Sequence, residues 1–122
     1  RFPGHRAMSE PETQWVQKQV EQFKPHLIVS VHAPYGVLDF DGPPPPPDKV
    51  GSLHLDQVGI YPGSLGNYGG VVRRVPVVTL ELRNAAKVAP TEVAAMWADL
   101  LGWIDRRMET IAQAKPLAPT GP

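Results

Sequence analysis

Two side chains able to transfer protons or bind a metal follow two apolar runs of this sequence. The run Leu27–Val31 is followed by His32, and the run Pro76–Leu80 is followed by Glu81. Such β-branched and aliphatic runs predict buried strands, and ligands of open α/β sheets bind at the carboxyl ends of strands. Histidine binds zinc or moves protons, and glutamate moves protons. We therefore expect His32 and Glu81 to belong to a candidate active site.

Each of these residues also has a structural interpretation. A single histidine at a strand end can be structural, and no His-x-x-His or His-x-x-Glu pair is formed by His5, His26 or His54. An ionised carboxylate after apolar residues is costly unless it is paired or catalytic. Glu81 is therefore either a proton-transfer group or the ion-pair partner of an arginine such as Arg83. The residues of this chain alone do not predict a complete set of metal ligands.

Two other arrangements of polar residues are weaker candidates for a catalytic site than His32 and Glu81. Asp39 and Asp41 resemble a turn at the tip of a loop more than a pair of catalytic carboxylates. A Ser–His–Asp arrangement would have to use Ser30, Ser52 or Ser64, and none lies in a Gly-x-Ser-x-Gly elbow. A serine hydrolase is accordingly disfavoured.

Composition narrows the function classes further. The 122 residues carry 12 basic and 12 acidic side chains and no cysteine, so no general attraction to nucleic acid or membrane and no disulfide framework is expected. No apolar run reaches the ~20 residues of a membrane-spanning helix. We predict a cytoplasmic location. Because the chain opens at Arg1 without a methionine, we also expect it to be a portion of a longer protein.

Helical patterns lie near both ends of the chain. Ser9–Glu12 is a helix start in which Ser9 is expected to cap, and Pro25 is expected to end the helix. The apolar face of this helix would be Val16, Val20 and Phe23. Thr91 is expected to cap a longer helix. Its apolar stripe would be Val93, Trp97, Leu100, Ile104, Met108 and Ile111.

Strands and loops fill the middle of the chain. Leu27–Val31 and Val75–Leu82 are the predicted strands, and the first is expected to be covered by helices on both faces. The segment 33–48 is predicted to be a loop, 49–58 is ambiguous with a short helix as one interpretation, and 61–70 is a glycine-rich loop. This order predicts an α/β fold with part of a mixed sheet flanked by helices. Two strands are too few, so missing residues or another chain should complete the sheet.

Four short motifs occur in an order that resembles one known family. They are Ser9–Thr13, Ser30–Pro34, Tyr61–Gly66 and Thr79–Leu82. Together they resemble the C-terminal half of a zinc carboxypeptidase domain, over residues 2–108. The branch most similar is that of the bacterial murein peptide amidases, which cleave γ-D-glutamyl–diaminopimelate bonds in cell-wall peptides.

The resemblance implies a role for several residues. His32 matches the last of three zinc-binding residues, and Glu81 matches the general base that activates the zinc-bound water and protonates the leaving amine. Tyr61 corresponds to the mobile tyrosine that covers bound substrate. Leu65 falls near the position that lines the specificity pocket, and Asn67 lies close to it.

The resemblance also implies what this chain lacks. The family's His-x-x-Glu zinc pair, its carbonyl-polarising arginine and its Asn-Arg pair for the substrate carboxylate would lie before residue 1. Residues 1–114 would then be the C-terminal half of a zinc carboxypeptidase-like α/β/α domain whose N-terminal half is absent, followed by a flexible tail at 115–122. We expect Zn²⁺ and a peptide substrate, a murein tripeptide being one candidate, for the parent enzyme.

Alone, the chain is expected to be inactive and to self-associate through its open sheet. The alternative functional interpretation is a non-catalytic binding module from a degenerate carboxypeptidase-like protein. An unrelated α/β structural domain would require all four motif matches to be coincidental.

Overall fold

Two α-helices, one before and one after a series of short strands in the chain, make up most of the structure, a computed structural model that describes residues 4–59 and 61–114. The helices and strands, in chain order, are α1 (Pro11–Phe23), β1 (Ile28–His32), β2 (Val37–Asp41), β3 (Lys49–Val50), β4 (Leu53–His54), β5 (Val77–Glu81) and α2 (Pro90–Ala114). A π-helical turn at Asn67–Val72 precedes β5, and a 3-10 turn at Ala85–Lys87 follows it.

Within the described residues, the main sheet has three strands in the order β1-β5-β2. β1 pairs with β5 in parallel, and β2 pairs with β5 antiparallel. The prediction of an α/β fold with a mixed sheet and helices is thus confirmed at this coarse level. Because β1 and β5 are parallel, their carboxyl ends lie at the same end of the sheet.

β2 corrects the prediction of a loop over residues 33–48. Its side chains alternate between the buried Leu38 and Phe40 and the half-buried Val37, Asp39 and Asp41, which is the period-two pattern of a strand with one core-facing side. Asp39 and Asp41 therefore lie in a strand, and their assignment to a turn at a loop tip was wrong. The proline-rich segment after β2 obscured this short strand.

The segment 49–58 contains the hairpin β3–β4 rather than a short helix. Gly51 makes the turn with φ +60°, a left-handed conformation that favours glycine. The turn is tied to α2, because Glu92 accepts hydrogen bonds from the Ser52 amide and hydroxyl at 2.7 Å, and Asp99 accepts one from the Gly51 amide at 2.9 Å. The backbone hydrogen bond from Ser52 is the main cause that lowers the pKa of Glu92.

The hydrophobic core lies between α2 and one face of the sheet. Its buried members are Leu38, Phe40, Val50, Leu53, Val78, Leu80, Met96, Leu100 and Trp103. Phe40 meets Trp103 edge to face, with ring centroids 6.2 Å apart. Arg107 lies over the same indole and donates hydrogen bonds to the carbonyls of Pro43 and Pro45, so the proline-rich segment is held against α2.

The buried side of α2 differs from the predicted stripe. The residues it buries are Met96, Leu100 and Trp103, whereas the predicted members Val93, Trp97 and Met108 are 51%, 61% and 50% exposed. The helix starts at Pro90, one residue before the expected cap at Thr91. The side chain of Ile111 lies outside the described residues. The stripe prediction was therefore wrong for those three residues, and it is confirmed for Leu100, which is buried, and Ile104, which is partly buried against the core.

α1 also buries less than its pattern predicts. Of the expected face, Val20 is buried while Phe23 is 81% exposed. Glu10 occupies the N-cap position without a side-chain cap, and the Ser9 hydroxyl donates instead to the Glu10 carboxylate at 2.9 Å. The cap assigned to Ser9 was thus wrong.

β1 is an outer strand of the sheet, and helices do not cover both of its faces. Val29 and Val31 are 41% and 59% exposed, so the prediction of a strand buried on both faces was wrong. Among the described residues, no helix is long and apolar enough to cross a membrane. The predicted tail, 115–122, lies outside those residues.

Candidate functional site

The ends of β1 and β5 bring His32 and Glu81 together. The parallel register pairs these two residues directly, and His32 Nδ1 lies 3.3 Å from Glu81 Oε1. The histidine side chain is 54% exposed and the glutamate side chain only 8%. The pair therefore has an inner carboxylate and an outer imidazole at the carboxyl end of the sheet, as expected for a ligand site of an α/β fold.

Ser30 holds the other side of the imidazole. Side chains alternate along a strand, so Ser30 and His32 point to the same face of β1, and Ser30 Oγ lies 2.9 Å from His32 Nε2. With Nδ1 protonated, the ring donates to Glu81 and accepts from the Ser30 hydroxyl. The imidazole is consequently held at both nitrogens, a contact that the sequence motif did not reveal.

Glu81 carries a polar atom without a partner. Its Oε2 is buried and makes no hydrogen bond within the described part of the chain, and the residue as a whole is 6% exposed. A buried polar group left unsatisfied costs about 1–3 kcal/mol. Groups held at such a cost concentrate at sites where they make a further contact with a ligand.

The polar face of the sheet continues from this pair along β2 and β5. Thr79 lies opposite Ser30 on one side and Asp39 on the other, and Asp39 Oδ1 accepts a hydrogen bond from the Val58 amide at 3.1 Å. Partial burial, and then the neighbouring Asp39 carboxylate, raise the pKa of Asp41. A cavity of about 380 Å³ borders both aspartates. The alternation of polar and apolar residues in β2 was the signal that could have located them.

The other residues named from the family resemblance are not bonded to this pair in the described part of the chain. Tyr61 is 60% exposed, and its hydroxyl donates to a backbone carbonyl of its own loop. Leu65 is half-buried, and Asn67 begins the π-helical turn. Within residues 4–59 and 61–114, no hydrogen bond or ion pair links them to His32 or Glu81.

The metal-binding capacity of the described residues is small. Nowhere in 4–59 or 61–114 do three or more His, Cys, Asp or Glu side chains form a group that could hold a metal ion. Catalytic zinc takes three protein ligands and a water, and this pair offers one imidazole and one carboxylate. The described residues do not fit a zinc site by themselves.

No family model, curated protein or solved structure matches this chain. The zinc carboxypeptidase resemblance therefore stays a prediction, and so do the roles that it implies for His32 and Glu81.

Proposed function

We propose that this chain is part of a zinc-dependent metallocarboxypeptidase domain of α/β/α architecture that hydrolyses peptides, with murein peptides as the candidate substrates. The observation that carries the proposal is the direct pairing of His32 with Glu81 at the carboxyl ends of two parallel strands. These are the two residues to which the family resemblance gives the metal-binding and proton-transfer roles. The remaining zinc ligands would come from residues outside this chain.

Glu81 is the proton carrier in this proposal. Its Oε1 lies beside the imidazole, and its Oε2 is buried without a hydrogen-bond partner in the described part of the chain. The carboxylate would take a proton from water as the water oxygen bonds to the scissile carbonyl carbon. It would then give that proton to the amine nitrogen as the carbon–nitrogen bond breaks.

His32 would supply the nitrogen ligand in this proposal. Ser30 engages Nε2, and Nδ1 lies 3.3 Å from Glu81 Oε1, so one of these two contacts would give way to the metal. A hydrogen bond at the far nitrogen orients a ligating imidazole and selects its tautomer. Zinc, when bound, would acidify the attacking water and polarise the scissile carbonyl.

The contacts of Ser30, His32 and Glu81 also have the connectivity of a Ser–His–acid triad. Ser30 is only 8% exposed and lies within a strand rather than on a sharp elbow, so an incoming carbonyl has poor access to its hydroxyl. A serine hydrolase is therefore the second candidate. Labelling by a fluorophosphonate that Ser30→Ala abolishes would favour it over the metallopeptidase.

The decisive experiment uses the product of the whole gene. We expect zinc-dependent hydrolysis of a γ-D-glutamyl–diaminopimelate peptide, lost on chelation and reduced by about 10²–10⁴-fold in Glu81→Gln, because a general base contributes that factor. Glu109→Gln, at an exposed position of α2, is the matched control and should retain activity. The 122-residue chain alone should show no turnover with added zinc.

Three results would contradict the proposal. They are turnover by the 122-residue chain alone at the rate of the whole gene product, full activity of Glu81→Gln, and the absence of hydrolysis by the zinc-loaded gene product. In the last case, peptide binding without turnover, together with a gene that encodes no His-x-x-Glu before residue 1, would identify the non-catalytic binding module.

A further inference from the structure

A cavity at the carboxyl end of β2 has charged groups of both signs in its wall. Its volume is about 380 Å³, and it is bordered by Asp39, Asp41 and Gln57 and, from the segment before β5, by Gly70 and Arg74. We call it the β2 cavity. None of its three charged side chains forms an ion pair within the described residues. Convergent polar groups in a concave site, left unpaired by the protein, are available to a ligand.

The glycine-rich segment 61–70 lies directly against Asp41. A Cβ atom on Gly66 would collide with the Asp41 carboxylate, and one on Gly70 would collide with the Asp41 backbone. The absence of side chains at these two positions permits this close approach. The resulting burial, and then the Asp39 carboxylate, raise the pKa of Asp41. A positively charged ligand group beside Asp41 would offset both effects.

The two aspartates together form a place for an ammonium group. They stand two residues apart in β2, so their side chains lie on the same face of the strand, about 7 Å apart at the backbone. Asp39 Oδ1 accepts from the Val58 amide at 3.1 Å, whereas Asp39 Oδ2 and both oxygens of Asp41 have no partner among the described residues. An ammonium between the two carboxylates can donate to each of them.

Arg74 adds a guanidinium to the exposed rim of the β2 cavity. Its backbone has φ +56°, a left-handed conformation that is uncommon for a residue other than glycine. Backbone conformations of this kind cluster at ligand sites, where function maintains them at a cost to stability. A guanidinium binds a carboxylate through two parallel hydrogen bonds. The β2 cavity can therefore take a ligand group that carries an ammonium and a carboxylate together.

The register of the sheet connects the β2 cavity with the His32–Glu81 pair. Val37 lies directly opposite Glu81, and Asp39 follows it two residues later on the same face. Asp39 is thus displaced from Glu81 by about 7 Å along the strand direction. The four-carbon stem of a lysine-length side chain has a reach of this size. A peptide with its scissile bond at Glu81 can therefore place the end of such a side chain beside Asp39.

We propose that the β2 cavity binds an α-amino-acid group at the end of the substrate's side chain, with the ammonium between Asp39 and Asp41 and the carboxylate on Arg74. The inference rests on the proposed function, because it places the scissile bond at Glu81. A lysine side chain would satisfy the aspartates and leave Arg74 without a partner. Specificity for the group with both charges follows, because each missing charge leaves a charged side chain of the cavity unpaired.

Titration calorimetry on the product of the whole gene tests this inference, with Glu81→Gln present to prevent turnover. The probes are γ-D-glutamyl-diaminopimelate and γ-D-glutamyl-lysine, which differ at the end of the side chain by one carboxylate. We expect the first peptide to bind about 10–100-fold more tightly, because a hydrogen-bonded charge contributes that factor. Arg74→Gln should abolish the difference, and Asp41→Asn should weaken both peptides about tenfold or more. Arg73→Gln, at an exposed position outside the cavity, is the matched control and should change neither affinity.

The outcomes separate this inference from the proposed function. Equal affinities for the two peptides, or a preference that Arg74→Gln leaves intact, would overturn the role of the β2 cavity. Unchanged binding by Asp41→Asn, with far-UV circular dichroism showing a folded protein, would overturn the position of the ammonium. If the expected preference is measured but the protein with Glu81 intact does not hydrolyse the first peptide, the cavity binds as inferred and the catalytic proposal alone fails.

Discussion

Replacing Glu81 with methionine tests whether this carboxylate is kept for chemistry or for stability. Methionine has a similar length and no charge, so it fills the same space between the strands. If Glu81 and His32 form a structural ion pair, the variant should be less stable than the wild type. If the carboxylate is kept for function and is buried at a cost to the fold, the variant should be more stable, as is common when catalytic residues are replaced.

The contacts of Glu81 give the size of the effect. The residue is 6% exposed and its Oε2 is buried without a partner, and removing that unsatisfied group should gain about 1–3 kcal/mol. The variant loses the 3.3 Å contact with His32, whose side chain is 54% exposed, and a pair so open to solvent contributes at most about 1 kcal/mol. The net expectation is a free energy of unfolding about 0–3 kcal/mol higher, centred near 1.5 kcal/mol.

Urea denaturation at pH 7, followed by circular dichroism at one protein concentration, measures this difference. A gain of that size moves the urea midpoint up by roughly 1 M for a chain of this length. Glu109→Met is the control, because that exposed glutamate on α2 should change the free energy of unfolding by less than about 0.5 kcal/mol. A loss of about 1 kcal/mol or more in Glu81→Met, with the control unchanged, would contradict a functional carboxylate and show that the pair is structural.

Three further predictions concern the core, the polar face and the hairpin. Leu38→Ala should lower the free energy of unfolding by about 2–5 kcal/mol in urea, since Leu38 is fully buried; a loss below about 1 kcal/mol would contradict its central position. Asp41→Asn should raise the thermal midpoint at pH 7, because burial and then Asp39 raise the pKa of Asp41 and so penalise its ionised form. This advantage should shrink as the pH falls and the wild-type aspartate is protonated, and an advantage independent of pH would exclude this cause. Gly51→Ala should cost about 1–2 kcal/mol in calorimetry, because φ is +60° and the new Cβ would lie 2.5 Å from Glu92 Oε1; an unchanged midpoint would show that the turn rearranges.

The segments with a continuous pattern were predictable from sequence. The aliphatic runs before His32 and Glu81 indicated β1 and β5, because β-branched residues favour the extended backbone locally. β2 was missed although Leu38 and Phe40 alternate with polar residues, since a proline-rich segment follows it directly. Period-two alternation over five residues is a weak signal beside such composition.

Burial of the helices was less predictable than their position. The spacing of apolar residues correctly indicated a long helix near the end of the chain, but it could not tell which part of a wide apolar face is covered. The sheet covers Met96, Leu100 and Trp103 and leaves Trp97 exposed. That choice depends on how the helix is turned over the sheet, and the contacts of Glu92 and Asp99 with the β3–β4 turn are distant in sequence.

Local residue patterns were enough to predict that His32 and Glu81 end two strands, because each strand follows from the residues next to it. Three features emerge only when the chain folds: the two strands are parallel neighbours, the two side chains lie 3.3 Å apart, and Ser30 holds the imidazole. Strand order and register depend on hydrogen bonds between distant segments, and no local pattern specifies those bonds.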